Sequence, residues 1–153
     1  MKCAARRLLA CLYPGILLMA GLHSGLADDA PSKPDPSNPK LVARGKVVYA
    51  EQCASCHGAK LEGQPNWRHR LPNGRMPAPP HDPSGHTWHH SDQQLFEMTK
   101  FGPGALVPGY QSDMPAFADK LSDADIWAVI SFIESTWPPD IRERQQRIKP
   151  DGH

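Results

Sequence analysis

The chain has 153 residues, 39% of them hydrophobic and 22% charged, with 17 prolines, 8 histidines, 4 cysteines and a formal net charge of +1. That length suits one domain of ordinary size with tails. Basic and acidic residues are interleaved, which excludes the strong positive field of a dedicated nucleic-acid binder.

The N-terminus is unlike everything after it. Lys2, Arg6 and Arg7 precede an uncharged run from Leu8 to Leu22, and small residues ending at Gly25-Leu26-Ala27 come before Asp28-Asp29. This is the order of a secretory signal peptide, residues 1–27, cleaved after Ala27. The apolar run, fifteen residues broken by Pro14-Gly15, is shorter than the roughly 20 that span a bilayer, so membrane contact is expected only if the segment stays uncleaved. Cleavage leaves 126 residues with 14 basic and 16 acidic side chains, a formal charge of −2, and 42 hydrophobic residues. A third is a thin supply for an all-protein core. Cys3 and Cys11 leave with the signal, and Cys53 and Cys56 remain.

Residues 28–39 carry four prolines and no sizeable apolar side chain, the composition of an extended tether. From Lys40 to Gln52, Leu41, Val42, Val48 and Tyr49 fit an amphipathic helix with Gly45 among them and Pro39 in its first turn. Gly58 to Ser91 is rich in proline, glycine, histidine and arginine without clear periodicity, and is expected to be ordered loop with one short turn of helix. Ser91, three residues before Gln94, has capping-box spacing and starts a helix to about Lys100 with Leu95 and Phe96 inward; Phe101-Gly102-Pro103-Gly104 stops it. Ser122-Asp123-Ala124-Asp125 caps the most apolar helix of the mature chain, Asp123 to about Thr136, ended by Trp137-Pro138-Pro139. Residues 138–153 hold too few apolar side chains to bury and are expected to be a solvated helix or frayed tail. No segment alternates long enough for a sheet.

The most informative run is Cys53-Ala54-Ser55-Cys56-His57-Gly58. Two cysteines three positions apart at the end of a helix point their sulfurs the same way, close enough to bond the two vinyl groups of one haem. The adjacent imidazole then reaches the iron, and Gly58 lets the chain turn away. A zinc half-site would need a second Cys or His pair, and a thioredoxin-like dithiol a βαβ surround; the mature chain has no other cysteine and no strand pattern. A second axial ligand is offered by Met114 in Ser112-Asp113-Met114-Pro115, 57 residues after His57, where Pro115 stiffens the loop. Met76, also followed by proline, and a histidine are the alternatives, whereas Met98 lies mid-helix and reads as core.

From Lys40 to Trp137, the helix, CASCHG, the central helix after a long loop, SDMPAF and the closing LSDADIWAVISFIEST together resemble the class I monohaem c-type cytochromes of bacterial periplasms. The resemblance implies an all-α class I cytochrome c fold, about three to five helices wrapped around one covalently attached haem. Its N- and C-terminal helices cross, Gly45 allowing the approach and Tyr49 packing near Trp127 or Ile130. It implies a cytochrome c domain over residues 40–137 and a periplasmic one-electron carrier. Haem c would be held by Cys53 and Cys56, its iron ligated by His57 and Met114, with redox proteins rather than a substrate as partners. With both axial positions filled, no enzyme is expected. A mature charge near −2 argues against a strongly basic docking face and for weakly charged or basic partners.

The long loop departs from a minimal family member. His81, His86, His89 and His90, with Asp82 and Asp92 nearby, could converge on copper, zinc or nickel, which makes a metal-handling or redox-sensing haem protein the alternative function. The bland reading is a solvated loop with one or two imidazoles bonded to backbone or haem propionate. A cytochrome subunit of a larger oxidoreductase is a further alternative. Trp67, Arg68, Arg70, Asn73 and Arg75 have the chemistry to meet haem propionates.

Overall fold

Short side-chain caps start the three long helices of a computed structural model in which residues 30–148 are described. The signal peptide expected at 1–27 and the last residues of the tail lie outside them. Asn38 Oδ1 accepts the Lys40 and Leu41 N–H groups at 3.1 and 3.3 Å, and Pro39 opens α1, Pro39–Gln52. A one-turn helix α2, Ala54–His57, follows at once. Ser91 and Gln94 exchange both bonds of a capping box at the start of α3, Asp92–Phe101, and Gly102 at φ +84° ends it. Ser122 Oγ accepts the Asp125 N–H at 3.1 Å to start α4, Asp123–Ser135, whose first turn carries Asp123 and Asp125 against the positive end of the helix dipole. A last helix, α5, covers Pro139–Gln146. Single 3-10 turns occur at Thr87–His89 and Pro103–Ala105, and no strand occurs among the described residues. The all-α expectation holds.

The architecture turns on α4, which is buried on nearly every side from Ile126 to Glu134. Helix α1 crosses it at Gly45. A Cβ at that position would overlap the Ala128 carbonyl oxygen and stand 2.8 Å from Phe132 Cβ. Backbone meets backbone there, so the two helices approach more closely than any side chain permits. Val48 and Tyr49 then reach the α4 face, and Arg44 Nε pairs with Asp125 at 2.7 Å across the crossing. Phe96 of α3 stacks on Trp127 with ring centroids 4.3 Å apart. Tyr49 lies in one core cluster with Trp127 and Ile130. Its ring meets Phe132 at 5.4 Å and His81 at 5.8 Å, one turn further along α4.

Both flanks expected to be solvated lie against this body. In the proline-rich N-terminal segment Pro34 is buried and the Asp35 N–H donates to Ser131 Oγ at 2.9 Å. At the other end, Gln145 on α5 is buried, and its amide donates to Asp92 Oδ1 and, at 3.3 Å, to the His90 carbonyl. Apolar content alone was a poor measure for these segments, because hydrogen bonds dock them together with buried Pro34 and with Ile141 packed on the core. Among the described residues, the helix that crosses α1 is the penultimate one.

Glu134 lies under α5, 5% exposed, with Asp92 beside it and its Oε1 without a partner. Burial first, then the Asp92 charge, push its carboxyl up to about 9, with Arg142 opposing. A carboxyl raised in the folded state holds a proton that the unfolded chain releases, so this group costs stability as pH rises from its ordinary value towards 9. Glu134→Gln is expected to flatten the fall in thermal midpoint between pH 5 and pH 9; an identical slope in the variant would contradict the burial argument. Gly45→Ala is expected to destabilise by about 3 kcal/mol or more, at the upper end for overpacking, because the clash is with backbone. Denaturant titration of the two proteins measures it.

Candidate functional site

The C-terminus of α1 delivers the two cysteines. Cys53 follows its last residue and donates its N–H to the Tyr49 carbonyl at 2.9 Å, continuing the helical path. The single turn of α2 then bonds the Cys56 and His57 N–H groups back to the Cys53 carbonyl at 3.1 and 2.9 Å. Gly58 turns the chain out at φ +81°, where a side chain would strike the Glu62 carboxylate. Tyr49 Oη ties the turn down by donating to the Gly58 carbonyl at 3.0 Å.

Cys53, Cys56, His57 and Met114 all line one cavity of about 490 Å³, within the range of cofactor sites. Its inner wall is apolar, built from Leu95 of α3 and Val129, Ile130 and Ile133 of α4. The thiols are not joined to each other. Burial, with Cys56 second, pushes the Cys53 thiol up to about 11. A redox thiol needs the opposite shift, so Cys53 suits neutral sulfur in an apolar wall rather than thiolate chemistry.

His57 is buried, and its Nδ1 lies 2.8 Å from the Pro79 carbonyl oxygen. A carbonyl only accepts, so Nδ1 carries the proton and Nε2 keeps its lone pair for a metal. Burial holds this imidazole neutral, with its pKa below the usual value despite the Pro79 bond. His81 stacks on it, centroids 3.9 Å apart and planes 20° from parallel. Its own backbone is pinned by the N–H donated to Leu61 O and by Trp137 Nε1, both at 2.8 Å. His81 Nδ1 is buried without a partner. Pro79 and His81 were missed as supports of His57, since a carbonyl has no residue signature and only the stiff Pro79-Pro80 pair pointed to them.

Met114 sits between α3 and α4, with its N–H donated to Ser112 Oγ at 3.0 Å. Three residues on, the Phe117 N–H bonds to the last turn of α3. Met76 and Met98 also face the cavity, so Met98 is wall as well as core. Of the residues with the chemistry for propionates, only Trp67 lines the cavity. Arg68 lies over the Trp67 ring and donates to Ser84 O, Arg70 donates to Gly74 O, Asn73 caps the Arg75 N–H, and Arg75 pairs with Asp113.

The histidine cluster does not converge. His81 is stacked on His57, His86 lies parallel to Trp67 with its edge towards His90, and His89 packs on Trp88. Of the four, only His86 and His90 meet each other, edge to face at 5.6 Å, while His81 and His89 are taken by other rings. Among the described residues no group of three or more His, Cys, Asp or Glu side chains could hold a metal ion, so the copper or zinc alternative finds no site here.

Comparison with known proteins gives a consistent result. The family model described as Cytochrome c matches residues 42–137. Cytochrome c-555 of Prosthecochloris aestuarii is 30% identical over 82 residues, covering 50% of this chain and 83% of that protein. Thiosulfate dehydrogenase of Stutzerimonas stutzeri strain A1501 is 29% identical over 105 residues, 69% of this chain but 30% of that protein. The Cbb3-type cytochrome c oxidase subunit FixP of Sinorhizobium medicae is 61% identical over 28 residues, 18% of this chain and 10% of that protein. The match thus spans about a third of the dehydrogenase and a tenth of the oxidase subunit. No solved structure matches the chain.

In the matured protein neither Cys53 nor Cys56 is expected to react with an alkylating reagent, even after unfolding. Cys53→Ala and Cys56→Ala should each leave haem held by one thioether, read as an altered reduced pyridine spectrum. Quantitative alkylation of both sulfurs in exported, haem-loaded protein would contradict the assignment.

Proposed function

Because the chain belongs to the cytochrome c family, whose members carry covalently bound haem c and pass electrons to redox partners, we propose that it is a periplasmic one-electron carrier with a single haem. In this reading Cys53 and Cys56 form the thioethers, and His57 and Met114 are the axial ligands. The observation that carries the reading is the common cavity: these four side chains share one apolar-walled space, and His57 presents its unprotonated nitrogen because Pro79 holds the other. The haem, when bound, supplies a one-electron iron couple.

The chain's own residues set how that couple behaves. Burial among Leu95, Val129, Ile130 and Ile133 disfavours the added positive charge of ferric iron, and thioether sulfur favours the ferrous state, so both raise the potential. With the His57 imidazole and the Met114 thioether holding a bound haem, the protein would relay electrons instead of binding a substrate there. Leu71 and Val107, each lining the cavity and about half exposed, offer an apolar rim for brief docking. Residues 63–81 include three arginines and no carboxylate. Arg75 is paired with Asp113, which leaves Arg68 and Arg70 as a small local excess, so the rim suits a weakly charged partner.

A second reading is supported by the partial matches: the chain serves as the cytochrome subunit of a larger oxidoreductase. The thiosulfate dehydrogenase similarity, confined to 30% of that protein, favours it. Co-purification from native membranes and periplasm separates a free carrier from a subunit.

The ferric protein is expected to show a far-red sulfur-to-iron charge-transfer band that disappears in Met114→Ala, with a fall in midpoint potential. Persistence of the band in that variant, with its loss in Met76→Ala, would transfer the ligand role to Met76. Absence of any covalent haem after export with intact maturation machinery would end the proposal.

A further inference from the structure

Two loops form opposite sides of the cavity mouth, and one ion pair joins them. The first runs from Arg75 through Met76 and Pro77 to Pro79, whose carbonyl orients His57. Its start is a built turn: Leu71 N–H donates to the Arg75 carbonyl at 2.8 Å, Arg75 N–H donates to Asn73 Oδ1 at 3.0 Å, and Gly74 takes φ +81°. The Ala78 N–H donates to Gln64 Oε1 and the Ala78 carbonyl accepts the Gln64 N–H, each at 2.9 Å, so this side is held along its length. The second loop carries Ser112, Asp113 and Met114. It is fastened to α3 only from Phe117 onward, and the residues before Met114 are largely exposed.

Arg75 Nη1 pairs with Asp113 Oδ1 across 38 positions of sequence. The other three ion pairs among the described residues join α1 to α4, α3 to the start of α4, and two positions within α5 and its end. Arg75–Asp113 alone links the side of the cavity behind His57 to the loop bearing Met114. The geometry points to this pair as a clasp that sets how readily Met114 leaves the iron, with Arg75 and Asp113 as positioning residues one bond along the chain from Met76 and Met114.

The inference rests on the proposed ligation by Met114. Both side chains are partly exposed, at 39% and 56%, so the attraction is modest and screened by salt. A modest attraction is nonetheless enough to shift a local opening, because Met114 need only swing out with the unfastened side of its own loop.

The test is stopped-flow mixing of the ferric holoprotein with excess imidazole, where the limiting rate reports departure of the thioether. Arg75→Gln and Asp113→Asn should each raise that rate about threefold to fivefold at low ionic strength. The charge-swapped double variant, Arg75→Asp with Asp113→Arg, should return towards the wild-type rate. At about 0.5 M salt the differences should vanish. If both single variants match the wild-type rate while the sulfur-to-iron band is present in all, the clasp is overturned and Met114 ligation stands. A lowered thermal midpoint with an unmoved limiting rate also overturns it, since that is what a purely structural pair would do. If the wild-type protein itself lacks the band, the ligation reading falls and the clasp falls with it.

Discussion

The rest of the structure depends on the contact of Gly45 with the Ala128 carbonyl. Helices normally keep their axes apart by the thickness of their side chains, and here one position has none. That close crossing sets the direction in which α1 ends. Its last turn brings Cys53, Cys56 and His57 to face Val129, Ile130 and Ile133 across a cavity instead of towards solvent. A thin supply of apolar residues can then suffice, because α4 is buried on most of its surface while the neighbouring helices commit one face each. The covalent haem supplies apolar surface that the chain itself lacks.

The long loop after Gly58 acts as a wall and not as a linker. Its prolines fix the path, its glycines allow close passes, and its carbonyls do the positioning. Gly85 lies against the Pro80 carbonyl so closely that no side chain fits there. The His81 backbone bridges Leu61 and Trp137, and the Pro79 carbonyl orients His57. His81, His86 and His90 in this loop are therefore packing residues, while His89 is exposed beside Trp88. Burial keeps His81, His86 and His90 below the usual imidazole range, which suits uncharged rings in a cavity wall.

Legibility followed the range of the interaction. The starts of α3 and α4 were readable because Ser91 with Gln94, and Ser122, act on backbone three residues away, and that of α1 because Pro39 suits a first turn, whereas the Asn38 cap was not read. The Cys53, Cys56 and His57 run was readable as a unit for the same reason, its spacing lying within five consecutive residues. What escaped was paired over long separations. The Tyr49 ring meets Phe132, Gln145 donates to Asp92, and Asp35 finds Ser131. The composition of residues 30–39 and 138–148 does not signal docking, since a few contacts secure each segment: Pro34 and the Asp35 N–H in one, Ile141 and Gln145 in the other.

The sequence by itself determined an all-α chain with its three long helices, a Cys-x-x-Cys-His run at 53–57 with the spacing for haem attachment, and a proline-followed methionine in the loop before the last long helix. These are local facts, carried by side chains acting on their near neighbours. Only the tertiary structure decided which carbonyl orients His57, which aromatic each loop histidine meets, that both flanks dock, and that Arg75 reaches Asp113. Those pairings depend on how α1 crosses α4 and how the long loop folds back on the crossing. Chains of the same composition could close such contacts in many ways, and the glycine-to-carbonyl approach at Gly45 selects one.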